Sequence, residues 1–216
     1  VTIPSRLTNI GESTFSGCSG LTTVTIPSNV TDIGGWAFEH CSGLTSINVN
    51  SANRYYCSIG GVLYNKEASV LICCPGGLTS VKIPTSVTSI ADYAFSGCRV
   101  LTSVTIPSSV TSIGVSAFRY CDSLETVYVA VGDSQRVSGL MVGSDFDVSG
   151  VAFIEPPEYV ISEFVEFSCE ETSIEIYDPF IEDICETLAA DIIVNEVMPE
   201  LVPEAFVEPP EYVISE

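Results

Sequence analysis

The sequence predicts an α/β solenoid, with a parallel sheet along one face and short helical or 3₁₀ turns on the other. Three observations predict it. A 23-residue period returns Val-Thr-Ile-Pro at Val1–Pro4, Val24–Pro27 and Val104–Pro107, with Val81-Lys82-Ile83-Pro84 as a variant. Each copy carries one apolar skeleton, so that Ile26, Val30, Ile33, Phe38, Cys41 and Leu44 return as Ile106, Val110, Ile113, Phe118, Cys121 and Leu124. Within a copy, Leu21, Val24 and Ile26 alternate over a Thr-rich run, the period-two signal of a strand. One such unit cannot bury its apolar side alone, whereas a stack of them makes a continuous core.

The units run 1–23, 24–46, 47–80, 81–103 and 104–126, followed by a cap over 127–152. In the second unit Pro27 ends the strand, and Val30 and Ile33 lead through glycine to a turn at Trp36-Ala37-Phe38. Successive strands are expected to pair in parallel as one long sheet. The third unit is longer, 34 residues from Ile47 to Ser80, and reads as two apolar strands joined by a polar turn near Asn65 to Ser69. From Ala130 the period fails. A solenoid needs a cover for its last apolar rung, and Phe146–Val151 reads as the closing strand of that cap.

Residues 153–216 form an acidic extension. Phe153-Ile154-Glu155-Pro156-Pro157-Glu158-Tyr159-Val160-Ile161-Ser162-Glu163 returns as Phe206–Glu216 with one change, Ile154 to Val207. Between the copies, Asp178-Pro179 is a good helix start, and Phe180, Ile181, Ile184, Leu188, Ile192, Ile193 and Val197 predict an amphipathic helix over 179–197.

The run Leu101-Thr102-Ser103-Val104-Thr105-Ile106-Pro107-Ser108-Ser109-Val110-Thr111-Ser112-Ile113-Gly114, with Ala94-Phe95-Ser96-Gly97-Cys98, resembles the BspA-type (treponemal) leucine-rich repeat. The resemblance covers about residues 1–130. The long unit, through Gly60–Lys66 and Val70–Ile72, resembles a hairpin-bearing variant of that repeat. This resemblance implies a cell-surface protein, often adhesive toward host or matrix proteins; the spacing by itself implies only a scaffold.

Charge is unevenly placed. All seven basic residues precede position 150, against ten acidic ones there, while the last 66 residues hold the other eighteen acids and no base. Such an extension repels phosphate backbones and anionic lipid surfaces, which excludes nucleic acid as the expected partner. No segment approaches the roughly 18 consecutive apolar residues of a membrane helix. Val1 already stands inside a repeat, so the start of the protein, with any export signal, is expected upstream.

Candidate chemistry is sparse. Cys18, Cys41, Cys98 and Cys121 share one repeat position, which predicts a ladder of small buried thiols rather than disulfides, because in-register side chains point the same way. His40 adjoins Cys41, but neighbours on a coil point apart and catalytic Cys-His pairs are usually assembled from distant sequence. It reads as a variant at a turn position where Gly17, Gly97 and Tyr120 stand elsewhere. Cys73-Cys74 lacks the second pair or histidines that a metal site wants, and reads as one inward and one outward side chain. The acids of the extension form no Asp-x-Asp-x-Asp-Gly loop. No metal or cofactor is therefore expected. Thr-x-Thr at 23–25 suggests an ice-binding ladder, but Asn48, Lys82 and Tyr128 interrupt it.

The outward strand positions carry the functional expectation: Thr25, Asn48, Lys82, Thr105, Glu125 and Tyr128. Thr is also simply a good strand former on an open face. The sequence reading is a non-enzymatic surface or secreted module that binds a protein or glycan through this face. The alternative is a structural or spacer protein whose acidic extension self-associates by strand docking.

Overall fold

The computed structural model describes residues 3–155. The expected helix at 179–197 and the second copy of the duplicated segment lie outside the described residues. The elements in chain order are β1 (Asn9–Ile10), β2 (Thr23–Ile26), β3 (Asp32–Ile33), β4 (Ser46–Val49), β5 (Tyr56–Ile59), β6 (Val62–Asn65), β7 (Val70–Cys73), β8 (Ser80–Lys82), β9 (Ser89–Ile90), β10 (Ser103–Ile106), β11 (Ser112–Ile113), β12 (Thr126–Val129), α1 (Ser134–Gly143) and β13 (Ala152–Ile154). They wind as the predicted solenoid.

A regular coil has three sides. Its main strand buries alternate residues, as in β10, where Val104 and Ile106 are buried and their neighbours face out. The following proline cannot continue the ladder; its carbonyl accepts the N–H three residues on, from Pro27 to Val30 and from Pro107 to Val110. A two-residue return strand then pairs with its neighbours, β1 with β3 and β9 with β11. The third side is the ridge turn. There, i to i+3 bonds such as Ala37 to Gly34 alternate with bonds to the next coil such as Phe15 to Ala37. Two residues of every ridge turn are left-handed, one at Ser13, Trp36, Tyr93 and Ser116 and one at Gly17, His40, Gly97 and Tyr120. Left-handed residues cannot propagate a helix, so this side stays a chain of turns.

Aromatic rungs stack inside the ridge. Phe15 and Phe38 lie 5.4 Å apart and nearly parallel, as do Phe95 and Phe118 at 4.7 Å. Cys41, Cys98 and Cys121 are buried beneath them, and the Cys41 and Cys121 thiols donate to the Phe15 and Phe95 carbonyls at 3.0 and 3.2 Å. Cys18 departs from the expected ladder of buried thiols. It is exposed, because its coil is the first of the described stack.

The long unit changes the architecture. The main sheet is parallel but divided, β2–β4 on one side and β8–β10–β12–β13 on the other. The expectation of one long sheet fails because the Ile47 N–H bonds to Gly61 at 2.8 Å rather than to the next main strand. Gly61 belongs to a hairpin that the apolar pattern did not predict: β5 and β6 are antiparallel, joined by Gly60-Gly61 with φ of 57° and 81°, the signature of a type I′ turn. β6 then pairs antiparallel with β7 through the expected polar turn, where Asn65 Oδ1 accepts from the Ser69 and Val70 amides at 2.8 and 2.9 Å. β7 serves as this unit's return strand, pairing with β9 and so connecting the meander to the second half of the molecule.

β6 is buried on both faces. Leu63 packs in a core with Ile26, Phe38 and Ile47, while Val62 and Tyr64 pack in a second core with Phe95, Ile106 and Phe118. The meander is thus a septum between two apolar cores. Asn53, 1% exposed, fastens it to the preceding coil by donating to the Pro27 and Val30 carbonyls and accepting the Tyr55 and Tyr56 amides.

The cap also differs from expectation. Residues 146–151 form no strand, being irregular apart from a turn at 149–150; the strand is β13, three residues long, parallel to β12. The cause is α1, whose Val137 and Met141 cover the last rung and carry the chain across the end of the solenoid before it can pair. Arg136 ties α1 down through the Val110 carbonyl and a 2.7 Å ion pair with Asp133, which holds that carboxyl below its ordinary range.

Candidate functional site

The proposed face residues fall into two groups. Lys82, Thr105 and Tyr128 occupy one transverse row of β8–β10–β12, in register with each other and with Ile154 of β13. The alternation that buries Val81, Val104 and Val127 turns this row to the open side. Glu125 is exposed just ahead of β12, and its carbonyl accepts the Ala152 N–H at 2.8 Å. Thr25 and Asn48 are in register on β2–β4, across the break in the sheet. Asn48 Oδ1 accepts from Ser46 Oγ at 2.9 Å. The six positions therefore make two patches, of which the C-terminal one is the larger.

The opposite side holds a feature that sequence reasoning missed. From its return strand to its next main strand, the long unit is short: Leu71 to Leu78 replaces the span from Ile33 to Leu44. It has no ridge turn. The ridges on either side close over the gap, so Trp36 meets Tyr93 at 4.5 Å and Ser96 Oγ donates to Glu39 Oε1 at 2.6 Å. A notch of about 370 Å³ remains, lined by Trp36, Glu39, Cys73, Asp92, Tyr93 and Ser96. Aromatic rings beside carboxylates disfavour anions and favour cations. The signal was available in the missing Phe-x-x-Cys of the long unit.

His40 and Cys41 diverge. The His40 ring lies 5.4 Å from Tyr120, reaching past Gly97, where an added Cβ would come within 2.7 Å of His40 Nδ1. The Arg119 guanidinium lies over the Tyr120 ring, 4.7 Å from its centroid. The Cys41 thiol points into the core, and burial raises its pKa, which disfavours the thiolate a nucleophile needs. Cys73 and Cys74 do not split into one inward and one outward side chain. They face the two different cores across the septum, and burial pushes both thiols up. Among the described residues, no group of three or more potential ligands is placed to hold a metal, and no helix is long and apolar enough to cross a membrane.

The family model for the BspA-type leucine-rich repeat region matches six copies over residues 1–59 and 69–136. The chain belongs to this leucine-rich repeat family. The unmatched residues between, 60–68, contain β6. Among solved structures, the chain is similar to a leucine-rich repeat protein from Eubacterium ventriosum, with 26% identity and a TM-score of 0.46, covering 61% of this chain and 42% of that one. It is also similar to a leucine rich cell surface protein from Faecalibacterium prausnitzii, with 22% identity and a TM-score of 0.44, covering 80% and 63%. The pneumococcal vaccine antigen PcpA matches with 23% identity and a TM-score of 0.44, covering 59% and 40%. The chain spans less than two thirds of the length of each. No curated protein matches it.

Proposed function

We propose that this leucine-rich repeat chain is a non-enzymatic binding module, secreted or displayed at the cell surface, that contacts a protein or glycan through the open face of β8–β10–β12–β13. The observation that carries the reading is the in-register row Lys82–Thr105–Tyr128. It places a cationic, a hydroxyl and an aromatic side chain side by side on a rigid parallel sheet. Mixed side chains on a solenoid sheet suit contacts with an extended partner, and Tyr supplies contact area at low entropic cost. The surface location follows what the family resemblance implies. The test is binding of the full chain to panels of matrix proteins and glycans, beside the double variant Lys82→Ala, Tyr128→Ala. Loss of the signal with an unchanged melting temperature is expected. A ligand bound equally well by the double variant would remove the row from the site.

A second reading, a spacer that assembles through the acidic extension, is favoured by the duplicated segment. Sedimentation of the full chain over a range of concentrations tests it, with a monomer at every concentration counting against it.

A further inference from the structure

The notch beside Trp36 and Tyr93 marks a missing rung. In the regular stack each ridge turn donates to the next, the Ser13 and Phe15 amides to the Gly35 and Ala37 carbonyls and the Tyr93 and Phe95 amides to the Val115 and Ala117 carbonyls. The Trp36 and Phe38 amides stand at the same two positions one coil on, where the long unit supplies no ridge turn. They have no acceptor among the described residues. Backbone donors left over in this way are ready contacts for a carbonyl group.

The side chains around the notch also depart from their counterparts. At the left-handed ridge position the outer ridges carry Ser13 and Ser116, whereas the two that border the gap carry Trp36 and Tyr93, with φ of 54° and 60°. Bulky side chains are uncommon in that conformation, and strain of this kind gathers at ligand clamps. The two rings meet at 4.5 Å, and both stay half-buried. Beside them stand two carboxylates, each with one oxygen to spare. Glu39 Oε1 accepts from Ser96 Oγ, and Asp92 Oδ1 accepts the Val115 N–H at 2.7 Å. Among the described residues Glu39 Oε2 and Asp92 Oδ2 have no hydrogen-bond partner, and neither residue is in an ion pair.

We propose that this notch binds an arginine side chain presented by a peptide segment of a protein partner. A guanidinium is planar, stacks on aromatic faces and presents its donors as a fork. Its face can lie against the Trp36–Tyr93 pair while its edge donates to Glu39 Oε2 or Asp92 Oδ2, a charge-assisted bond. The partner's main-chain carbonyl takes the Trp36 or Phe38 amide. Each part of an arginine residue thus meets a group that the solenoid leaves unused, in a space of about 370 Å³ that falls within the range of small-ligand sites. A lysine ammonium would use the charge without the planar stacking. The site lies on the ridge and uses no residue of the Lys82–Thr105–Tyr128 row, so it stands apart from the proposed sheet face.

The test uses the full chain and its fluorescence, because Trp36 is the single tryptophan and reports the notch directly. A local readout is needed, since a chain of net charge −21 attracts any cation. N-acetyl-arginine amide, titrated at constant ionic strength, should shift the Trp36 emission saturably, with the millimolar midpoint expected of one side chain. N-acetyl-citrulline amide keeps the shape and loses the charge, and should need at least about tenfold more. N-acetyl-lysine amide should need about threefold more. The double variant Glu39→Gln, Asp92→Asn keeps the oxygens that Ser96 and Val115 use. It should bind the arginine amide at least about tenfold more weakly, with an unchanged melting temperature. No saturable shift, an equal midpoint for the citrulline amide, or an equal midpoint in the double variant overturns the inference. A lysine amide that binds as tightly as the arginine amide overturns the guanidinium assignment. The comparison of arginine with citrulline rests on the unaltered chain and holds whatever the variant does.

Discussion

The regular coils and the long coil solve one problem in different ways. In the coil 104–126 each apolar residue faces a single core, and the ridge turn supplies the aromatic rung, Phe118, stacked on Phe95. In the coil 47–80 the ridge turn is absent, and a strand buried on both faces fills the interior instead. The difference shows that a solenoid rung can be replaced if the substitute presents apolar groups in both directions along the stack. Its price is continuity, since the main sheet breaks there and the candidate face with it.

Phe118→Ala should have the largest effect, because a fully buried aromatic flanked by Phe95 and Phe146 leaves a cavity that its neighbours cannot fill. About 3–5 kcal/mol is expected in denaturant titration. The long coil should respond in a divided way. Leu63→Ala, at about 2–4 kcal/mol, should lower amide protection in β2 and β4 while β10 and β12 keep theirs, and Val62→Ala should reverse that pattern at a smaller cost. Equal loss on both sides would mean that the two cores are one cooperative unit.

Asn53→Ala should cost about 1–3 kcal/mol, because it strands the Val30 carbonyl and leaves the Tyr55 and Tyr56 amides without their acceptor, while the Pro27 carbonyl keeps the Val30 N–H. In the regular coils the equivalent carbonyl is served by a less buried side chain, as Ser109 Oγ serves Val87 at 2.7 Å, so the cost should be largest in the long one. Gly61→Ala comes next, at about 1–2 kcal/mol, since φ is 81° and an added Cβ would press on the Thr45 carbonyl at 3.1 Å. Gly60→Ala, which meets open space, should cost less. The smallest effect is on pH dependence. The Gly132 amide, with Ser134, holds the Glu155 carboxyl below its ordinary range. A depressed carboxyl stabilises the fold above its unfolded pKa and loses that contribution as pH falls through the folded value. Protection at Gly132 should therefore decline only at acidic pH, and Glu155→Gln should flatten the decline.

The regular coils were legible because the period, the proline and the skeleton agree at every level. Even there Ile33 and Ile113 are only half-buried, since the return strands are two residues long and lie near the rim. β5 was not legible: Tyr56-Cys57-Ser58-Ile59 shows no clean alternation, and its pairing is fixed by the Gly60-Gly61 turn that follows. α1 escaped notice because Gly139 and Gly143 weaken its helical pattern and only Val137 and Met141 are buried. The candidate row was readable residue by residue, yet its division was not. Which partner the Ile47 amide takes is decided by the hairpin tip, a contact between groups outside the repeat register.

The septum also bears on how the chain reaches this fold. Every parallel pairing of main strands joins residues a full coil apart, whereas β5, β6 and β7 pair antiparallel across a two-residue turn and the short turn at Asn65–Ser69. Short loops close sooner than long ones, and hairpins form in about 1–10 μs. The meander is thus the natural nucleus. Because it presents an apolar face in each direction, coils can condense onto it from both ends, so substitutions at Val62 or Leu63 should slow refolding, while those in outlying coils should mainly speed unfolding.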